Sequence, residues 1–242
     1  MIKRFVLPKK TMRKKCVLVL SMHRSGSSCC SGSMGFLGKN GDVVSYGKHH
    51  SLEKNRWNEK GFFENDLILR FNIDALDAAN GSWKNVREWT NKEENAIMSK
   101  LDQLKEIIQS DYLTEPQPIF LIKDPRIIWL WNVYMKAFED LDIETYVVHI
   151  DRDDIEVAKS LWDPHKIPYD DALKLTSDYK EKLTKDLDKS IPNDHIYHTT
   201  YVKLINNPTE ELKNISDLFA LPRDRIDFVG LSQFIDKNLK HH

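Results

Sequence analysis

Six consecutive residues, His23-Arg24-Ser25-Gly26-Ser27-Ser28, bring together an imidazole, a permanent cation, three hydroxyls and a glycine. That mixture suits the holding of an oxyanion. Gly26 lets the backbone turn without a Cβ clash. Ser25, Ser27 and Ser28 supply hydroxyls and free amides at the start of a helix, where exposed N–H groups and the positive end of the helix dipole favour phosphate or sulfate. Arg24 adds a forked donor. The plain alternative is a serine-rich turn that does no more than cap a helix. Two further polar clusters follow apolar runs: Lys123-Asp124-Pro125-Arg126, and Asp151-Arg152 with Ser160 two helical turns later. A guanidinium and a hydroxyl together suit a dianionic phosphate. Asp124 before Pro125 reads as an N-cap with proline in the first helical turn. Arg126, a cation in that first turn, opposes the dipole and is expected to face an anion or an acidic partner.

The elements that must position these clusters form an alternating series. Cys16 to Leu20 is a short apolar, β-branched run of the kind found inside parallel sheets, and the helix after the loop ends near Gly38. Lys39 to Glu64 is polar and glycine-containing, a loop long enough to be functional. Asp66 to Asn80 reads as a helix closed by Asn80-Gly81, and Lys92 to Ser110 as one continuous helix. Strands follow at Pro118 to Ile122, Ile143 to Ile150 and His195 to Thr199, with helices to about Phe138, from Asp153 to Trp162, from Tyr169 to Lys189 and from Thr209 to Phe219. The segment with Leu231, Phe234 and Leu239 is expected to pack on the body. Strands alternating with helices predict an α/β fold, a central parallel sheet flanked by helices on both faces. In such sheets ligands gather at the carboxyl ends of strands, so the three clusters should converge.

Length and composition set the bounds. With 242 residues, 40% hydrophobic and 30% charged, the chain suits a single domain over residues 1–242. A net charge of −1 provides no global field toward nucleic acid or an anionic membrane, so anion specificity must be local. Cys16, Cys29 and Cys30 fall on the buried strand and first helix, without metal-ligand spacing, and read as reduced core residues of a cytoplasmic protein; no metal site is expected. Seven basic residues lie between Lys3 and Lys15, but the apolar run after them is too short for a signal peptide, and residues 1–14 read as a solvated basic arm. No stretch approaches the roughly 20 apolar residues of a membrane span.

The loop is not a Walker A element, since Ser27 stands where a lysine would be needed and Ser21 where a glycine would. Instead His23-Arg24-Ser25-Gly26-Ser27-Ser28 resembles the 5′-phosphosulfate loop of the sulfotransferases that use 3′-phosphoadenosine 5′-phosphosulfate (PAPS). The run VVHIDRDDIEVAKSLW resembles the segment in which that family's arginine and serine hold the cofactor's 3′-phosphate, and KDPR matches the sequence common after a central strand in bacterial-type members. The element Gly61-Phe62-Phe63-Glu64-Asn65 resembles the family's acceptor-side G-[YF]-[FW]-E-N. The tail from Thr200-Tyr201 through Pro208 to Phe219-Ala220-Leu221-Pro222 is similar to Y-E-D-L…P…F-L-G-L-P, except that Val202 and Lys203 stand in place of the acidic pair.

The resemblance implies a P-loop-like sulfotransferase fold. It also implies a cofactor site of His23 to Ser28, Arg152 and Ser160, with Arg24 and Lys123 on the transferring group. Glu64 reads as the base on the acceptor, or as a carboxylate favoured by the next helix's dipole. His49 and His50 stand behind it, and His149, on an interior strand, reads as a core histidine. Residues 39–65 form the acceptor-side region. Trp57, Phe62, Phe63, Trp83 and Trp89 are available as an apolar wall for a small-molecule or carbohydrate acceptor, or as ordinary core. Two other readings stay open: a P-loop-type nucleotide kinase, for which Asp151 imitates a metal-binding carboxylate, and a nucleotide-binding protein without turnover.

Overall fold

The computed structural model describes residues 13–51 and 60–235. Trp57, Asn58, Glu59, the arm before Arg13 and Leu239 lie outside them. Among the described residues the strands are β1 (Lys15–Leu20), β2 (Val44–Ser45), β3 (His50–Ser51), β4 (Glu64–Asn65), β5 (Ile119–Ile122), β6 (Glu144–Asp151) and β7 (Ile196–Thr200). The helices are α1 (Ser27–Met34), α2 (Asp66–Ala78), α3 (Asn91–Met98), α4 (Leu101–Ile107), α5 (Trp131–Asp140), α6 (Asp154–His165), α7 (Tyr169–Ser190), α8 (Tyr201–Asn206), α9 (Pro208–Leu218) and α10 (Phe228–Phe234).

The main sheet has the order β2-β5-β1-β6-β7, with parallel pairing throughout. β1 is its middle strand, and alternation along it divides the core. Cys16, Leu18 and Leu20 point into the layer that holds Phe120, Ile122, Trp129 and Tyr179; Val17 and Val19 point into the layer with Met34, Leu121, Val148 and Ile215. Every residue from Cys16 to Leu20 is inaccessible to solvent. A strand covered on both faces has no polar side to present, which is why it reads as an unbroken apolar run.

Departures from the sequence reading have local causes. The loop expected at 39–65 contributes an edge strand, β2, and the antiparallel pair β3–β4, in which His50 faces Asn65 and Ser51 faces Glu64. The single helix expected over Lys92 to Ser110 is two. α3 stops at Met98, α4 restarts at Leu101, and a π-helical turn over Ile108–Tyr112 follows, turning Asp111 and Tyr112 inward, both 1% exposed. At the end of α2 the residue with positive φ is Asn80 (φ 51°), and the Gly81 and Asn80 N–H groups bond the carbonyls of Leu76 and Asp77, the Schellman pattern. Two residues of the expected arm are fastened to the body: Lys14 Nζ donates to the carbonyls of Glu115 and Gln117 at 2.7 Å, and Arg13 pairs with Asp142.

A buried clamp fixes the region around β4. The Asp111 carboxylate accepts from the His49 backbone N–H (3.2 Å), approaches His49 Nδ1 at 2.5 Å and accepts from Asn65 Nδ2 at 2.6 Å. Asn65 Oδ1 meanwhile caps α2 through the Leu67 and Ile68 amides. Asn65→Ala removes that cap and one donor to a buried carboxylate, so urea unfolding is expected to show a loss of about 2 kcal/mol.

Candidate functional site

The carboxyl end of β1 runs into a loop whose shape two positive φ angles set: Arg24 at 70° and Gly26 at 93°. The first hydrogen bond of α1 runs from the Cys30 N–H to the Gly26 carbonyl at 3.1 Å. Gly26 itself is the N-cap, and no side chain caps the helix. The serines therefore do not act as caps, and the buried Ser25 hydroxyl has no hydrogen-bond partner among the described residues. Glycine is needed at 26 for a second reason, since a Cβ there would overlap the ring of Tyr201 at the start of α8. An arginine with positive φ carries backbone strain of the kind that concentrates at functional loops.

β6 ends beside this loop and delivers Arg152, which is 7% exposed. Its Nη1 donates to the Arg24 carbonyl at 2.9 Å, its Nε to Glu156 Oε2 at 2.9 Å, and its guanidinium lies 4.7 Å from the Tyr201 ring centroid. Arg24 in turn donates from Nε to Ser160 Oγ on α6 at 2.9 Å. Burial, and then the Arg152 charge, press the Arg24 pKa below its ordinary value. Two guanidiniums and a hydroxyl from three elements thus meet at the carboxyl end of the sheet. Lys180 from α7 holds the end of β6, donating to the Arg152 carbonyl at 2.9 Å and pairing with Asp151 (2.5 Å) and Asp154. Asp151, the carboxylate that imitates a kinase's metal ligand, is thereby engaged by a cation.

β5 brings the third cluster. Lys123, 5% exposed, donates from Nζ to Glu64 Oε1 at 2.6 Å, so the ammonium at the strand's end and the carboxylate of the acceptor-side element form one ion pair. A buried ammonium requires such a partner. Asp124 Oδ1 accepts from the Arg126 amide and from Arg126 Nη1, both at 2.9 Å. Asp124 is therefore the N-cap expected of it and also the acidic partner expected for Arg126.

His23 lies against Trp83 (ring centroids 4.4 Å) and edge-on to Tyr179 (6.4 Å). Burial, and then the charges of Arg126, Lys123, His165 and Arg24, hold its pKa well below the ordinary imidazole value. Of the other aromatic residues, Trp89 donates from Nε1 to the Trp129 carbonyl at 2.7 Å and packs, partly buried, against the core. Phe63 (φ 54°) packs between Tyr46 and Phe234 over α1. His149 pairs with His198 at 3.1 Å on neighbouring strands, and burial, with His198 next, lowers its pKa to about 4.

Two positioning residues escaped the sequence reading. Tyr201 was visible as part of a motif, but nothing local marks its ring as the surface shared by Gly26 and Arg152. Lys180 sits in an amphipathic helix rich in lysine, with no signal that sets it apart. No helix among the described residues is long and apolar enough to cross a membrane.

No family model matches the chain, and no curated protein matches it. Among solved structures, the sulfotransferase domain from the Synechococcus PCC 7002 olefin synthase superposes with a TM-score of 0.54 at 18% identity, over 98% of this chain and 91% of that one. The sulfotransferase from Alicyclobacillus acidocaldarius gives 0.52 at 9% identity, over 94% and 88%. The sulfotransferase domain from the curacin biosynthetic pathway gives 0.51 at 14%, over 86% and 75%. At these identities the likeness is one of architecture: the chain has the sulfotransferase fold, a five-stranded parallel sheet covered by helices on both faces.

Proposed function

We propose that this chain is a sulfotransferase that moves a sulfuryl group from PAPS to a hydroxyl of a small-molecule or carbohydrate acceptor, releasing adenosine 3′,5′-bisphosphate. The observation that carries this reading is the meeting of the β1–α1 loop with Arg152 and Ser160, through the Arg152–Arg24 and Arg24–Ser160 hydrogen bonds of 2.9 Å. A helix-start loop, two guanidiniums and a hydroxyl at the carboxyl ends of parallel strands suit the binding of an oxyanion. In this reading His23 to Ser28 seat the 5′-phosphosulfate, and Arg152 with Ser160 hold the 3′-phosphate. Arg24 and Ser160 exchange their mutual bond for bonds to the nucleotide.

The reaction is an in-line displacement. The acceptor oxygen forms its bond to sulfur as the bond from sulfur to the 5′-phosphate oxygen breaks, the electron pair leaving on the phosphate. Arg24 and Lys123 stabilise the charge that develops there. Glu64 holds Lys123 in line through the 2.6 Å bond and takes the acceptor's proton.

Thermal shift with adenosine 3′,5′-bisphosphate, AMP and magnesium ATP tests the proposal. The bisphosphate at 100 times its Kd should stabilise the protein by about 2.7 kcal/mol, with AMP well behind at the same concentration. A shift from magnesium ATP alone would favour a kinase. Bisphosphate binding without transfer of labelled sulfate to any member of an alcohol and glycan panel would favour a binding protein.

A further inference from the structure

His23 is the only member of the loop cluster whose charge can change near neutral pH. Its Nε2 is buried and has no hydrogen-bond partner among the described residues. The ring is held in place by Trp83 at 4.4 Å, and that wall is itself anchored, because the Tyr179 hydroxyl donates to the Trp83 carbonyl at 2.9 Å and His165 abuts the Trp83 indole edge at 4.8 Å. The charged and titratable groups that bear on the imidazole are Arg24 from its own loop, Lys123 and Arg126 from the end of β5, and His165 from the end of α6, with Tyr179 of α7 against the ring. Glu64 and Asp124 answer Lys123 and Arg126 in part. Burial, and then these cations, disfavour the protonated imidazole.

An anion entering the seat reverses the local field, because opposite charge within a few ångströms favours the protonated form. We propose that His23 grips the nucleotide as an imidazolium: neutral in the resting site, it takes one proton from solvent as the anionic groups settle among Arg24, Lys123 and Arg126, and its Nε2–H becomes a further donor to them. The inference rests on the nucleotide site proposed above and adds to it a dependence on pH. The bound state has the higher pKa, so the gain in affinity is complete below the free-state pKa. It then declines through the window between the two values by up to about tenfold per pH unit, and is gone above the bound-state pKa.

The test is isothermal titration of the full chain and of His23→Gln with adenosine 3′,5′-bisphosphate, from about pH 5.5 to about pH 8.5, in buffers of different ionisation enthalpy. The second ionisation of a phosphate, near pH 6, contributes to both proteins alike, so the comparison isolates His23. The expected result is greater proton uptake by the parent, and a parent-to-variant affinity ratio that falls as pH rises. Equal uptake and a constant ratio, with both proteins binding, overturn the proposal while leaving the nucleotide site intact. Failure of the parent to bind overturns the site reading itself. Should the variant fold poorly, the parent's His23 ring resonance serves instead. Its titration midpoint is expected to rise, on saturation with the bisphosphate, into the range from about pH 5.5 to about pH 8.5 that the titrations span, and a midpoint that stays below that range overturns the proposal.

Discussion

Replacing Arg152 by alanine is expected to weaken adenosine 3′,5′-bisphosphate by at least about 100-fold while AMP, which lacks the 3′-phosphate, changes far less. A charge-assisted hydrogen bond contributes about 1.5–3 kcal/mol, and a fork that makes two of them to a phosphate accounts for the whole factor. The guanidinium also supports the loop directly, through its bond to the Arg24 carbonyl and its seat on the Tyr201 ring. Some loss of melting temperature should accompany the change. Arg152→Lys keeps the charge without the fork and should fall between parent and alanine. Titration of the three proteins with both nucleotides decides the matter: if Arg152→Ala binds the bisphosphate as the parent does, the 3′-phosphate assignment fails.

Gly26→Ala should be nearly as damaging, for reasons of backbone and space together. At φ 93° an L side chain is strained, and its Cβ would overlap the Tyr201 ring. Strain of this kind costs about 1–3 kcal/mol, and with the overlap added the melting temperature should fall by about 5 °C or more. The loop amides would turn with it, so stabilisation by the bisphosphate should disappear. Removing the ring in Gly26→Ala/Tyr201→Ala should recover the overlap part of the loss but not the strain, a non-additivity that thermal denaturation of the four proteins in the cycle would measure. Additive losses would mean that the ring does not press on the loop.

The parts of this molecule that could be read from the chain are those whose causes are local. β1, its loop and α1 are contiguous, and their burial writes itself into the apolar run Cys16 to Leu20. The meeting of Arg24 with Arg152 followed from a rule about where parallel strands stop. What could not be read depends on residues far apart. β2 is a two-residue strand whose identity comes only from pairing with Ile119 and Phe120. The interruption between α3 and α4 and the π turn after it bring Asp111 to His49 and Asn65, partners more than forty residues away on the chain. The plain alternative for the loop, a serine-rich turn that only caps α1, stayed open in the sequence because composition carries no record of φ, and the structure puts Gly26, with its positive φ, at the N-cap instead. Glu64 and Lys123 were both singled out, but their pairing joins two elements that the sequence pattern leaves unconnected.

The place of β1 in the sheet has a consequence for how the protein is made. Lys15 lies beside Ile119 on one side and Glu144 on the other, so β1 finds its neighbours only after more than a hundred further residues have left the ribosome. The anion seat is thus synthesised before the strands that support β1. Closure of such distant pairings is slow, and until it happens Cys16 to Leu20 is an uncovered apolar ribbon that depends on rapid completion of the chain, or on a chaperone, to stay out of aggregates.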